Sequence, residues 1–223
     1  MGTLYIVSTP IGNLSDITLR ALLTLKSVDY ILCEDTRNTG RLLKTYQINK
    51  KMVSFNEFNE DAKSTAVIED LLKDTKVALV SDAGTPLVSD PGFKLVREAV
   101  TKGIKVESIP GPTAAIAALT VSGLATDKFL FLGYLSKKEG KRRETLENIK
   151  KVRELLNLTA IIFESPYRVI RTLEDIEDIF GDIDIVICRE LTKLHEEIRR
   201  EKVTESVAHF TGTTPKGEFV ILI

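Results

Sequence analysis

The sequence predicts an α/β protein of two domains. Short β-rich apolar runs alternate with helical stretches of about 10–15 residues, the signature of strands joined by crossover helices. Small, turn-forming residues follow several of those runs. The pattern changes near Gly123, where Ala125–Lys128 interrupts the helical periodicity. With 223 residues the chain can build two cores, and we divide it into domains 1–124 and 125–223.

In the first half, Leu4–Ser8 reads as a strand and residues from about Asp16 to Val28 as an amphipathic stretch. Strand Tyr30–Cys33, helix Asn38–Tyr46 and the short run Met52–Phe55 follow. Helix Ala62–Leu72 leads to the apolar strand Val77–Val80, then helix Pro91–Thr101, strand Lys105–Ile109 and helix Thr113–Val121. Crossovers of this kind imply a mainly parallel sheet. In the second half, strand Phe129–Leu132 precedes a long charged helix, Gly140–Leu156. Strand Thr159–Phe163, helix Val169–Phe180 and strand Ile185–Cys188 come next. Glu196–Phe210 reads as helical in part, and Glu218–Ile223 is a final strand.

Composition excludes several classes. Hydrophobic residues are 43% and charged residues 28%, ordinary for a globular protein. No apolar run reaches the roughly 18 residues of a membrane span. The first residues enter a strand pattern directly, so no secretory signal is expected. Lys plus Arg number 31 against 32 Asp plus Glu, and a nucleic-acid role must rest on a local basic patch. The two cysteines, Cys33 and Cys188, lie in apolar runs and read as buried free thiols of a reducing cytoplasm. No Cys/His spacing suggests a metal, and none suggests a hydrolase triad. His195 and His209 are isolated and read as ordinary residues.

Three loops at strand C-termini stand out, the edge at which open α/β sheets bind ligands. They are Ser8-Thr9-Pro10-Ile11-Gly12-Asn13-Leu14, the long run Ser81 to Gly92, and Ile109-Pro110-Gly111-Pro112-Thr113-Ala114. Small side chains let backbone groups approach a ligand closely. The first loop lacks the glycine fingerprint of a dinucleotide site. Each alone could be a tight turn; together at one edge they point to a pocket.

In order and content these loops resemble the tetrapyrrole methylase superfamily, the class III S-adenosylmethionine-dependent methyltransferases. The resemblance implies two α/β domains with the donor in a cleft between them. Thr85, in Gly84-Thr85-Pro86, stands where many relatives carry Asp. A narrower resemblance spans nearly the whole chain. Leu4 to Leu14, Cys33-Glu34-Asp35-Thr36-Arg37, Ser81 to Gly92 and Phe131 to Leu135 are similar to the ribosomal RNA small subunit methyltransferase I family. So are Phe163-Glu164-Ser165-Pro166-Tyr167-Arg168, Arg189 to Lys193 and Lys216 to Phe219. That family methylates the ribose 2′-hydroxyl of a cytidine in the decoding region of small-subunit (16S) rRNA. Longer relatives carry a further C-terminal segment after the last strand, and any RNA grip that it supplies is expected to be absent here or to have been removed.

On this resemblance the donor shell is expected at Pro10, Asp82, Ala83, Gly84, Thr85, Val88, Pro110, Thr113 and Ala114. Tyr134 and Phe163 would close it from the second domain, with backbone from Pro215-Lys216-Gly217. A sulfonium donor brings its own leaving group, so positioning can supply much of the acceleration. A ribose hydroxyl needs a base or an electrostatic partner. Glu164, Glu190 and Asp35 are the candidate groups, and the sequence does not choose among them.

For RNA, Lys137, Lys138, Lys141, Arg142 and Arg143 crowd a helix start, where the macrodipole prefers anions. From Ser136 to Leu156 eight basic residues face four acidic ones. Phosphate is the natural counter-charge, and Arg37 and Arg41 could extend the track. The expected partner is small-subunit rRNA or the 30S particle, and the resemblance implies a homodimer. Two other functions stay open: a small-molecule methylase of the tetrapyrrole kind, and a non-catalytic RNA-binding ribosome assembly factor.

Overall fold

Two five-stranded sheets organise the chain, each in its own compact unit, Met1–Thr113 and Ala114–Ile223. A computed structural model describes residues 1–223. The division falls ahead of the small-residue segment at Ala125–Lys128, so the helix that follows the Pro-Gly-Pro turn goes with the second unit.

The first unit contains strands β1 (Thr3–Val7), β2 (Tyr30–Cys33), β3 (Lys51–Ser54), β4 (Lys76–Val80) and β5 (Lys105–Ile109), in the order β3-β2-β4-β1-β5. Every pairing is parallel. Helices α1 (Leu19–Ser27), α2 (Thr36–Thr45), α3 (Glu60–Leu72) and α4 (Phe93–Thr101) make the crossovers. Alternate strand residues feed opposite faces. Leu4, Leu32, Val77 and Leu79 pack with Val67, Ile68 and Leu71 of α3 and Leu95 and Ala99 of α4. Val7, Ile31, Cys33, Ala78 and Val80 pack with Ala21 and Leu25 of α1 and Leu43 of α2. Burial on both faces explains why β2 and β4 read as unbroken apolar runs. Because β4, β1 and β5 are neighbours and parallel, the three loops that leave their C-terminal ends emerge side by side.

The second unit contains β6 (Phe129–Tyr134), β7 (Thr159–Glu164), β8 (Asp184–Arg189), β9 (Glu197–Lys202) and β10 (Phe219–Leu222), ordered β6-β7-β10-β8-β9. Only β6 and β7 run parallel; β10 lies antiparallel between β7 and β8, and β9 pairs antiparallel with β8. Helices α6 (Glu139–Leu156), α7 (Val169–Phe180) and α8 (Val203–Thr211) supply Leu146, Ile149, Leu173, Ile176 and Phe210 to a core with Ala160, Ile162, Ile187 and Ile221. Helix α5 (Ala114–Ser122) packs on β7 and β10.

The segment Glu196–Phe210, expected to be helical in part, is a strand followed by a helix. In β9, Arg199 is paired with Glu197 at 3.3 Å and Glu201 at 2.6 Å. This ladder of charges stabilises the edge through ion pairs, so no apolar alternation announces it. Both cysteines are buried and free. No helix is long and apolar enough to cross a membrane.

Candidate active site

The three loops of the first unit are stitched together. Thr9 and Gly84 form an isolated antiparallel bridge, with Thr9 N donating to Gly84 O at 2.9 Å and Gly84 N donating to Thr9 O at 3.1 Å. Thr9 Oγ1 donates to Ser81 O at 3.3 Å. Thr85 Oγ1 donates to Pro112 O at 3.2 Å and lies 3.0 Å from Ser8 Oγ. One hydroxyl thus joins the loops after β1, β4 and β5. Ser8 N also donates to Ile109 O at 3.2 Å.

Two glycines allow this approach. Gly84 has φ +78°, and a Cβ there would stand 3.3 Å from Ile11 Cγ2. A Cβ on Gly111 would meet Ser8 Cβ at 2.9 Å. The middle loop holds two further left-handed residues, Leu87 and Ser89, at φ 72° and 68°. Such conformations persist only where surrounding contacts over-determine them. Pro10 and Gly84 are buried, Thr85 and Thr113 half-buried, and Asp82, Ala83, Val88 and Pro110 exposed. Pro10, Asp82, Ala83, Gly84, Thr85 and Pro110 therefore belong to loops that share one sheet edge. Ala114 opens α5 in the second unit.

An acidic rim borders these loops. Asp82 accepts from Asp35 N at 3.1 Å and from Asn38 Nδ2 at 2.9 Å, fixing the start of α2. Asp35 caps α2 and accepts from Arg37 Nη2 at 2.6 Å. Hydrogen bonds from the Arg37 side chain, then from its backbone, hold the Asp35 carboxyl down at about 2. Burial raises Glu34, with Asp90 and Asp82 adding like charge. Burial also raises Asp90, against a hydrogen bond from Ser81.

In the second unit, Glu164 is buried at the end of β7 with both oxygens engaged. Oε1 accepts from Ser165 N at 2.7 Å and Arg168 Nε at 2.8 Å, and Oε2 accepts from Thr172 Oγ1 at 2.7 Å. Arg168 Nη1 donates on to Leu135 O at 3.0 Å, tying the loop after β6 to the loop after β7. A β-bulge between Phe131 and Tyr134, with Gly133 at φ 60°, pairs Tyr134 with Phe163, whose rings are 5.8 Å apart. Glu190, at φ 53°, accepts from Lys193 Nζ at 2.8 Å and Glu218 N at 3.0 Å. Burial works to raise its carboxyl, but these hydrogen bonds prevail and hold it below the usual range. A Cβ on Gly217 would stand 2.5 Å from Glu190 Cγ, so that position needs glycine.

The basic cluster at the start of α6 splits. Lys137, Lys138 and Lys141 are exposed. Arg142 is buried, its Nε 2.6 Å from Asp175 Oδ2. Arg143 bridges Asp175 at 2.7 Å and Asp178 at 2.9 Å. For Arg142 the expectation of an RNA-facing side chain is therefore corrected: α7 places an acid beneath it, and the guanidinium is held inside the unit. Sequence spacing along α6 could not reveal a partner on another helix. Arg37 and Arg41 are both exposed, Arg37 on its carboxylate partner. Ser8, Asn38 and Arg168 were not assigned roles from sequence. Their importance lies in cross-loop hydrogen bonds, which leave no spacing signal.

Residues 3–206 match the tetrapyrrole (corrin/porphyrin) methylases. The chain belongs to that family. This tetrapyrrole methylase is 47% identical over 223 residues to the ribosomal RNA small subunit methyltransferase I of Thermotoga maritima, covering 100% of this chain and 98% of that protein. It is 46% identical to the protein of the same name from Halalkalibacterium halodurans, over 100% of this chain and 75% of that one. The Synechocystis protein of that name is 45% identical, with coverage of 100% and 79%. Such identity across the whole chain makes it a member of that branch. Among solved structures, diphthine synthase superposes with a TM-score of 0.78 at 16% identity, covering 100% of this chain and 89% of that one. That likeness is one of fold.

Proposed function

We propose that this tetrapyrrole methylase is an S-adenosylmethionine-dependent methyltransferase of small-subunit rRNA, acting on the ribose 2′-hydroxyl of a cytidine in the decoding region. The observation that carries the reading is identity of 44–47% over the full length to proteins named for small-subunit rRNA methylation. We infer that the donor lies against the loops of the first unit, a reading supported by the left-handed Gly84, whose missing Cβ lets the chain turn tightly beside Ile11. Pro10, Asp82, Ala83, Gly84, Thr85, Val88, Pro110, Thr113 and Ala114 would hold it; Tyr134 and Phe163 are assigned to it on the resemblance alone.

Bound there, the donor supplies an electrophilic methyl on a cationic sulfur. The loops supply backbone groups and small side chains that pack against it. Asp82, Asp90 and Glu34 give the rim a negative field suited to a cation. Thr85 ties the three loops together, and positioning of this kind can supply much of the acceleration of a displacement. Asp35, Glu164 and Glu190 already accept hydrogen bonds from a neighbouring cation. We read them as positioning groups rather than as the acceptor of the hydroxyl proton. Lys137, Lys138, Lys141 and Arg41 supply exposed charge for phosphate, on free rRNA or a 30S particle in the cytoplasm, and a homodimer follows from the resemblance.

The test is transfer of labelled methyl into small-subunit rRNA, free and in 30S particles, from cells lacking the modification. Resistance of one cytidine linkage to alkaline hydrolysis maps the product to the 2′-oxygen. Incorporation only into a corrinoid or porphyrin precursor would replace the reading with a small-molecule methylase. RNA binding without any transfer would make the protein an assembly factor.

A further inference from the structure

A concavity of about 590 Å³ in the second unit is lined by Tyr134, Leu135, Lys137, Ser165, Tyr167 and Arg168. Its make-up is unusual for a connection between elements. Tyr167 is 92% exposed, and Tyr134 is 55% exposed. A large aromatic ring left in water at the end of a Ser-Pro turn does nothing for packing. The turn itself is rigid: Arg168 N and Val169 N both donate to Ser165 O at 3.1 Å. Beneath it, fully buried Glu164 grips Arg168, and Arg168 reaches Leu135 O. Two rings, a hydroxyl, a fixed guanidinium and the exposed ammonium of Lys137 thus surround one space.

We propose that this concavity is the subsite for an unstacked RNA nucleotide. The inference rests on the rRNA reading and adds to it the place where one nucleotide is gripped. Tyr167 stacks on the base, Lys137 meets its phosphate, and Ser165 and Arg168 offer donors to the base edge. Single-stranded RNA is read in this manner, by bases splayed onto aromatic faces with cations on the backbone. Glu164 is a positioning residue, acting through Arg168. The methyl donor carries an adenine and a carboxylate but no phosphate, so donor affinity is measured beside RNA binding.

The experiment uses the full chain and a single-stranded RNA decamer with a central pyrrolo-cytidine, whose fluorescence drops on stacking. Wild-type protein should quench the probe. Tyr167→Ala should lose the quench and weaken binding about tenfold, and Tyr167→Phe should restore both. Lys137→Ala should lower the slope of log affinity against log salt by about 0.7. Calorimetric affinity for S-adenosylhomocysteine should stay within twofold in all three. Unchanged quench and affinity in Tyr167→Ala, with wild-type methylation of rRNA intact, would overturn the subsite and leave the rRNA reading standing. Loss of S-adenosylhomocysteine binding in Tyr167→Ala would assign the space to the donor instead. If wild-type protein neither binds the decamer nor methylates rRNA, the reading beneath the proposal fails.

Discussion

Replacing Arg142 by alanine separates the two halves of the basic cluster. Its guanidinium and the Asp175 carboxylate are each under a tenth exposed and 2.6 Å apart. Breaking a buried pair by removing one partner costs about 3–5 kcal/mol, because the other charge stays buried. Asp175 keeps Arg143, itself a third exposed, so the lower end, about 3 kcal/mol, applies. With a urea dependence of about 2 kcal/mol per molar, the unfolding midpoint followed by circular dichroism falls by about 1.5 M. The triple variant Lys137→Ala, Lys138→Ala, Lys141→Ala should change stability by no more than about 0.5 kcal/mol, a midpoint shift of about 0.25 M. Its effect appears in RNA binding, where losing three phosphate contacts flattens the salt slope by about 2. The reasoning is refuted if Arg142→Ala keeps its stability while flattening the slope.

Gly84→Val should abolish calorimetric binding of S-adenosylhomocysteine. The left-handed backbone and the nearby Ile11 methyl together lower stability by about 1–3 kcal/mol without unfolding the chain. Thr85→Val removes the hydroxyl shared by Ser8 and Pro112; a loss of about 1 kcal/mol is expected, with weaker donor binding, and unchanged calorimetry would show the loops hold themselves. Burial pushes the Cys188 thiol from 9.0 up to about 11. The unfolded chain therefore loses its proton first. The contribution of Cys188 to stability is intact below pH 9 and is lost between pH 9 and 11. Alkaline unfolding of wild type and Cys188→Ala should differ in slope only in that window, and native Cys33 and Cys188 should resist alkylation until urea exposes them.

Much of the architecture was legible because burial writes itself into composition. Strands Tyr30–Cys33 and Lys105–Ile109 and helix Val169–Phe180 have the bounds expected from sequence. Tyr30–Cys33 is apolar on both faces, Lys105–Ile109 is bounded by Gly103 and by the Pro-Gly-Pro turn, and α7 carries an apolar stripe. Strand β9 was missed because Arg199, Glu197 and Glu201 neutralise one another on one side of the strand, where periodicity looks for apolar residues. The mixed second sheet was not foreseen either, since strand direction depends on where β10 inserts rather than on its own residues. At the candidate site, Gly84 and the Pro-Gly-Pro turn were readable as small and stiff. Arg142 was misjudged because the acid that claims it lies 33 positions along the chain.

The placement of β10 has a bearing on synthesis. This strand is the middle of the second sheet, yet it is the last of the ten strands to be made. Until residues 219–222 leave the ribosome, β7 and β8 each present an unpaired edge, and the halves β6-β7 and β8-β9 have no partner to join them. The first unit has all its strands by residue 109 and can settle while the rest is still being translated. A nascent chain of this protein therefore passes through a stage with one finished unit and one divided sheet, and that interval is when it most needs protection from aggregation.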